Sequence, residues 1–246
     1  MISMKHIYSF VVAAILCNLN ISAQIFDGET YLGIGISSIT FNGDNPVNKQ
    51  IFPKGNNTTV GGGFPNAQTA LSLRTTLSVD KNRTYRIPIS FDYVFLRGVQ
   101  RLPDKFYNIY ATHSVHIPTI SAGFEYAFLS LPLANAKLYA AADLKLSMIQ
   151  KSELIVNLDY DNQDFRDTTR IYGKETATRL GMGLRIGVDG EVFAPWYVNI
   201  SAGYNAFNLL GRNDARGELF TPSNLSEKVE SIIGAITTTV LIQYKL

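Results

Sequence analysis

Cysteine occurs once in these 246 residues, and charge is scarce. Cys17 lies in an N-terminal stretch that reads as a signal peptide. The mature chain is therefore expected to carry no thiol, no disulfide and no cysteine metal site. Leu16 in front of it is too bulky for a lipoprotein acylation site, where Gly, Ala or Ser is preferred. Charged residues make up 17% of the chain, against roughly 25% in ordinary soluble domains. A net charge of +2 offers no surface for nucleic acid. Of the three histidines, His6 leaves with the signal. No His-Glu-x-x-His, no Gly-x-Ser-x-Gly and no Cys/His cluster is present, so no metal and no cofactor is expected. No apolar run approaches the roughly 20 residues that a spanning helix requires.

What is present first is an export signal. Lys5 and His6 precede an apolar stretch at 7–16, and Ala23 follows Ser22 at a cleavable junction. Residues 1–23 read as a secretory signal peptide and 24–246 as the mature domain. An exported chain that is 46% hydrophobic, with no spanning helix, must place its apolar side chains elsewhere.

The segment RLGMGLRIGVDG at 179–190 shows where. Leu180, Met182, Leu184, Ile186 and Val188 alternate with Arg179, Gly181, Gly183, Arg185, Gly187 and Asp189. Period two means a strand whose successive side chains point to opposite faces. Eight segments alternate in this way: residues 31–41, 70–80, 85–97, 114–129, 136–150, 179–190, 196–207 and 231–246. The stretches 42–69, 98–113, 151–177 and 208–230 between them are long, whereas 81–84, 130–135 and 190–195 are short. Repeated ten-residue alternation with short turns and longer loops in regular succession is the pattern of a transmembrane β-barrel. The sequence thus predicts an all-β fold, an eight-stranded antiparallel up-and-down transmembrane β-barrel with short periplasmic turns and long extracellular loops. Ten strands remain open if the first loop supplies a hairpin. Residues 151–160 still alternate, which predicts a hairpin continuing strands five and six beyond the membrane and turning near 161–164. Pro88 and Pro118 predict a bulge or a strand end nearby. VGGGFP at 60–65 reads as a flexible turn, since no helix or Lys-Ser/Thr pair follows to make a phosphate cradle.

The apolar faces carry no charge, as lipid contact demands; Leu180, Met182, Leu184, Ile186, Val198 and Ile200 are expected to face lipid. The opposite faces carry small residues and a few ions of both signs. Arg74, Asp92, Glu125, Asp143, Lys145, Arg179 and Arg185 are expected to form a charge network inside the barrel, because a buried charge needs a partner. A turn near Asn82 brings Arg74 almost opposite Asp92, and a turn near Gln163 brings Asp143 and Lys145 toward Arg179. Glu125 and Arg185 lie at similar heights above their turns. Aromatic belts follow at the two interfaces: Tyr85, Phe128, Trp196 and Tyr244 on the turn side, Tyr93, Phe95 and Tyr204 toward the outer rim.

With these segments and the final strand TTTVLIQYKL, which alternates Val240, Ile242, Tyr244 and Leu246, the chain resembles the small eight-stranded outer-membrane barrels of the OmpA/OmpX/OmpW-like superfamily. The resemblance spans about residues 31–246. It implies location in the outer membrane of a diderm bacterium and contact with its lipids. It also implies assembly by the barrel-assembly machinery, which reads the last strand; Leu246 stands where the family usually has an aromatic residue. No globular segment follows that strand, so no peptidoglycan-binding module is expected. The family does not imply one activity.

Three functions are open. The first is non-catalytic: envelope structure, surface adhesion or ligand contact through the loops, with the partner unnamed. The second is a narrow porin or passive transporter of small polar or hydrophobic solutes. The third is a lipid A-modifying hydrolase. It would use Ser114 and His116, which share a face in THSVHIP, although the order differs from the His-x-Ser of such hydrolases and the sequence places no acid beside them.

Overall fold

The structure is a computed structural model that describes residues 28–52, 60–104, 106–160, 166–223 and 229–246. The signal read at 1–23 and the turn expected near 161–164 lie outside the described residues. Ten strands follow in order: β1 (Thr30–Phe41), β2 (Gln68–Ser78), β3 (Tyr85–Pro103), β4 (Tyr107–Leu131), β5 (Ala136–Ile149), β6 (Glu153–Tyr160), β7 (Arg166–Tyr172), β8 (Ala177–Phe193), β9 (Trp196–Leu210) and β10 (Gly234–Lys245). Eight of them hydrogen-bond in the cyclic order β1-β2-β3-β4-β5-β8-β9-β10, with β1 closing on β10. All these pairings are antiparallel. The ring is the expected eight-stranded up-and-down barrel, and closure leaves it no free edge.

Strands β6 and β7 form the expected hairpin and prolong β5 and β8 beyond the ring. β6 takes over from β5 beside the outer part of β4, with Ser114 opposite Glu153 and Tyr107 opposite Tyr160, and β7 pairs with β6 as β8 pairs with β5, each within one residue of the ring's register. The connection at 98–113 is mostly strand as well: β3 and β4 run on as a long ladder as far as Pro103 opposite Asn108. A four-stranded sheet β3-β4-β6-β7 therefore continues the wall past the ring. The two extra strands come from the third long connection; among its described residues the first contributes a 3-10 turn at Pro46–Asn48 and no strand outside β2.

β4 is 25 residues long and changes partner along its length, from β6 at 107–114 to β5 at 119–131. Pro118 sits in the gap. Gln150 N–H donates to the His116 carbonyl, so the backbone groups of 116 and 118 face away from β3, and proline's missing donor falls in the gap between the β4–β6 and β4–β5 ladders. Pro88 similarly lies in a break of the β3–β4 ladder between Arg86 and Ile89. Pro88 produces neither the bulge nor the strand end predicted for it, whereas beside Pro118 β5 ends at Ile149 and the ladder resumes at Glu153 of β6 with a one-residue offset, β4 itself running on. The register shifts lie at Ala127/Leu129, Leu180/Met182 and Glu191/Phe193.

Side-chain alternation divides the wall into two faces. Ile34, Ile36, Leu144, Leu146, Leu184, Ile186, Ile200 and Ile242 point outward and are exposed, Ile186 by 65%. A bare apolar surface of this extent around a whole barrel suits hydrocarbon and not water. Charge appears on the outward face only at the loop end, where Arg97, Ser114, Glu153 and Tyr172 form a row across the four-stranded sheet. The membrane-spanning belt lies between that row and the turns.

Candidate functional site

Inside the turn-side half of the ring the charges are paired. Glu125, 1% exposed, accepts from Arg185 Nη2 at 2.5 Å and lies 3.2 Å from Arg86 Nε. Arg185 also reaches Asp143 (Nε to Oδ2, 2.7 Å), and Arg86 Nη1 donates to Asp189 Oδ1 at 2.8 Å. Arg83, in the β2–β3 turn, folds back to Asp189 at 3.5 Å and lies over the Tyr31 and Tyr197 rings. Three guanidiniums thus meet three carboxylates. Tyr139 stands among them: its hydroxyl donates to Asn199 Oδ1 (2.9 Å) and accepts from Arg185 (3.1 Å), and its ring lies 4.7 Å from the Arg86 guanidinium carbon. The glycines make room for these long side chains. A Cβ on Gly187 would fall 2.6 Å from the Tyr139 hydroxyl, and one on Gly203 would fall 2.6 Å from Arg185 Cβ.

The loop-side half is different, and this part of the sequence reading needs correction. Its inward side chains are apolar: Ile39 and Phe41 of β1, Ala70 of β2, Val94 and Leu96 of β3, Val115 and Ile117 of β4 and Phe207 of β9. Onto them fold Val47 and Phe64 of the first loop and Leu219, Phe220 and Ile233 of the last, all 2% exposed or less. Phe41, Phe207 and Phe220 meet at ring separations of 5.4–5.9 Å. The mouth of the barrel is closed by a dry core. The triple glycine read as a flexible turn is part of this packing. Gly63 has φ +80, and its carbonyl lies so near Gly98 that a Cβ there would approach it to 2.3 Å.

Polar groups within this cap are satisfied in a similar way. Glu230, 1% exposed, accepts from Arg179 Nε (2.8 Å) and Nη2 (2.6 Å), from Asn208 (2.8 Å) and from the Asn213 N–H (2.9 Å). Burial works against its charged form, but these donors, Arg179 foremost, outweigh it and hold the carboxyl below its ordinary range. His113 lies on β4 above the membrane belt, fully buried and stacked on Phe64 at 5.0 Å, with Nδ1 2.7 Å from the Gly62 carbonyl. Burial pushes its imidazole down to about 4; the Gly62 carbonyl opposes this and the nearby Lys174 adds to it. Lys174 Nζ donates to the Glu218 carbonyl and to Thr221 Oγ1, each at 2.7 Å.

Beyond the cap stands the outer sheet. β7 is its last strand, paired with β6 alone, and Asp167–Tyr172 are all exposed. Ser114 and His116 share the outward face as the sequence predicts, and Glu153 lies directly across from Ser114. No hydrogen bond joins the serine to the histidine among the described contacts. His116 sits 5.9 Å from the Tyr93 ring and 5.7 Å from the Phe95 ring, with Nδ1 unpartnered. That is an aromatic cluster at the rim, without the relay a nucleophile needs. Among the described residues no group of three His, Cys, Asp or Glu side chains could hold a metal ion.

The chain matches no protein-family model, and no curated protein matches it. It is similar to the solved structure of Ail, the attachment invasion locus protein of Yersinia pestis, at 9% identity and TM-score 0.43, over 90% of this chain and 100% of that one. A structure of Ail in complex with the heparin analogue sucrose octasulfate gives 10% identity and the same score and coverage. Neisserial surface protein A gives 12% identity and TM-score 0.39, over 88% of this chain and 97% of that one. By fold this is a small up-and-down barrel.

The expected network residues fall into three groups. Glu125, Asp143 and Arg185 are brought together. Arg179 is not beside Asp143 or Lys145; it lies at the loop end and pairs with Glu230, because the pleat that places Ser147 opposite Arg179 leaves the carboxylate of Asp143 two layers lower. Arg74 lies opposite Ser90, not Asp92, and Asp92 accepts from Ser72 at 2.5 Å. Met182, Leu184, Ile186 and Ile200 are exposed on the outer wall, and Leu180 and Val198 half-buried there. Trp196 and Tyr244 meet edge to face at 5.1 Å, Tyr85 stacks on Tyr126 at 5.6 Å and Tyr93 packs on Phe95 at 4.8 Å. Phe128 and Tyr204 also face outward.

Proposed function

We propose that this protein is a non-catalytic barrel of the outer membrane of a diderm bacterium, exported on its signal peptide and folded there by the barrel-assembly machinery. Its work is surface contact, through the sheet β3-β4-β6-β7 and the cap beside it. The observation that supports this reading best is a lumen shut twice over, by ion pairs below and by a dry core above, under a sheet that projects past the membrane belt. Such a molecule holds a surface in place and gives solutes no route through it. The free edge of β7 offers backbone donors and acceptors to an extended partner segment, a mode in which main-chain pairing supplies affinity.

Planar-bilayer recording of the refolded protein separates this reading from passive transport. No steady conductance is expected. Unitary channels whose selectivity changes with charge reversal at Arg74 or Asp143 would overturn the proposal in favour of transport. Loss of cell-surface contact on shortening the β6–β7 hairpin, with the barrel still folded, is the positive test. Lipid A of expressing cells is expected to keep its mass spectrum, and the Ser114→Ala variant to behave as the parent.

A further inference from the structure

Between the charge network and the dry core lies a cavity of about 50 Å³. Its ceiling is apolar, including Ile39, Val94 and Phe207, and its walls carry Arg74, Lys145, Asp92, Asp143 and Arg185 among serines and threonines. The charges here do not balance as they do below. Arg83, Arg86 and Arg185 are matched by Glu125, Asp143 and Asp189. Asp143 on the same wall is already held by Arg185, which leaves Arg74 and Lys145 with Asp92, one positive charge in excess. Neither cation makes an ion pair among the described residues. Arg74 is 6% exposed, its Nε has no hydrogen-bond partner, and Nη1 reaches only Asn199 Oδ1 at a marginal 3.5 Å. Among the described residues Lys145 has no hydrogen bond on its ammonium; its stem lies against Gly183, where a Cβ would come within 2.9 Å of Lys145 Cε.

A buried cation without a partner is costly, and the cost is greater in a tube surrounded by hydrocarbon. Arginine cannot shed its proton to escape it. The space is several times the ~10–15 Å³ that one enclosed water needs, so an ion of halide size fits with a few waters. We propose that this cavity is a binding site for one small monovalent anion, a halide in size and charge, held between Arg74 and Lys145. Hydroxyl donors on the same walls complete its shell: Ser37, Ser90, Ser121 and Thr239 all line the space. One such ion cancels the excess charge, whereas a divalent oxyanion would reverse it. The site makes the anion a structural component of the barrel, enclosed when the cap folds over it.

Bromide replaces chloride in the test. Crystals of the full barrel grown in bromide should show an anomalous peak inside the barrel between Arg74 and Lys145, absent in the Lys145→Met variant. In detergent at equal ionic strength, the thermal midpoint should stand a few degrees higher in chloride than in gluconate, which is too large to enter. Arg74→Met and Lys145→Met should abolish that difference. Water alone in the cavity of bromide-grown crystals would overturn the proposal. So would a chloride effect of equal size in parent and variants.

Discussion

Replacing Glu125 by Gln keeps its shape and removes one charge from the centre of the network. In the parent this carboxylate faces Arg185 and Arg86 together, both with side chains less than a tenth exposed. A pair of unit charges near 4 Å is worth about 4 kcal/mol at an effective dielectric near 20. Two such contacts disappear in Glu125→Gln. Part of the loss is offset, because Asp143 still holds Arg185 and Asp189 still holds Arg86, and because the carboxylate no longer has to be desolvated. Breaking a buried ion pair by removing one partner typically costs about 3–5 kcal/mol, and that is the expectation here. Trp196, the single tryptophan, lies on the outer wall at the turn end and reports insertion by fluorescence, so urea unfolding from phospholipid vesicles measures the change. The double variant Glu125→Gln, Arg86→Gln restores neutrality and should recover about 2 kcal/mol of the loss. A cost below about 1 kcal/mol for the single variant, or a double variant less stable than the single, would refute the idea that charge balance holds the turn-side half together.

Acid should loosen the cap before the wall. His113 is depressed to about 4 in the fold and takes its proton near 6.5 when released, so its share of stability is full above 6.5 and is lost as pH falls toward 4. Glu230, held below its ordinary value, adds stability above 4.5 that is lost as pH falls further through its folded pKa. Hydrogen exchange of the Gly61–Phe64 amides should accelerate across both windows; His113→Gln should flatten the first and Glu230→Gln the second. Phe220→Ala should cost about 3–5 kcal/mol as a core truncation and should raise exchange in both the first and last loops, because Phe220 touches Phe41 and Phe207. Leu184→Arg, on the lipid face, should cost about 2–4 kcal/mol if it lies near mid-bilayer, measured by the same urea unfolding; an unchanged midpoint would show that this wall does not meet hydrocarbon.

The barrel itself was legible because period-two alternation is a local property. Each strand displays its lipid face in its own residues, and a turn centred on Asn82 or Gln163 sets the register of its neighbours: Leu77 does lie opposite Ile87, and Lys145 opposite Gly181. The partners of Arg179 were not legible, because Glu230 approaches from a loop 51 residues away that has no periodicity to read. The dry core was missed for a related reason. Ile39, Val94, Leu96 and Ile117 lie on the inward faces of their strands and were read with the sparse polar interior, while the outer connections were read as solvated. An apolar inward residue near a strand's loop end was the available signal that something must cover it. Arg83 was passed over because a charged residue in a short turn reads as solvent-exposed, yet its guanidinium turns back under the barrel.

The length of β4 has a mechanical consequence. The same strand is a stave of the ring and the mast of the projecting sheet, so a tether docked on β7 reaches the bilayer through two hydrogen-bonded ladders and the continuous backbone of β4, with residues 173–176 as a second tie to β8. A tug along the strand axis loads the β7–β6 and β6–β4 ladders in shear, where many bonds must fail together. A sideways tug unzips them one at a time. A cell anchored through this sheet would therefore hold best against a pull directed away from its surface and release under one that sweeps across it.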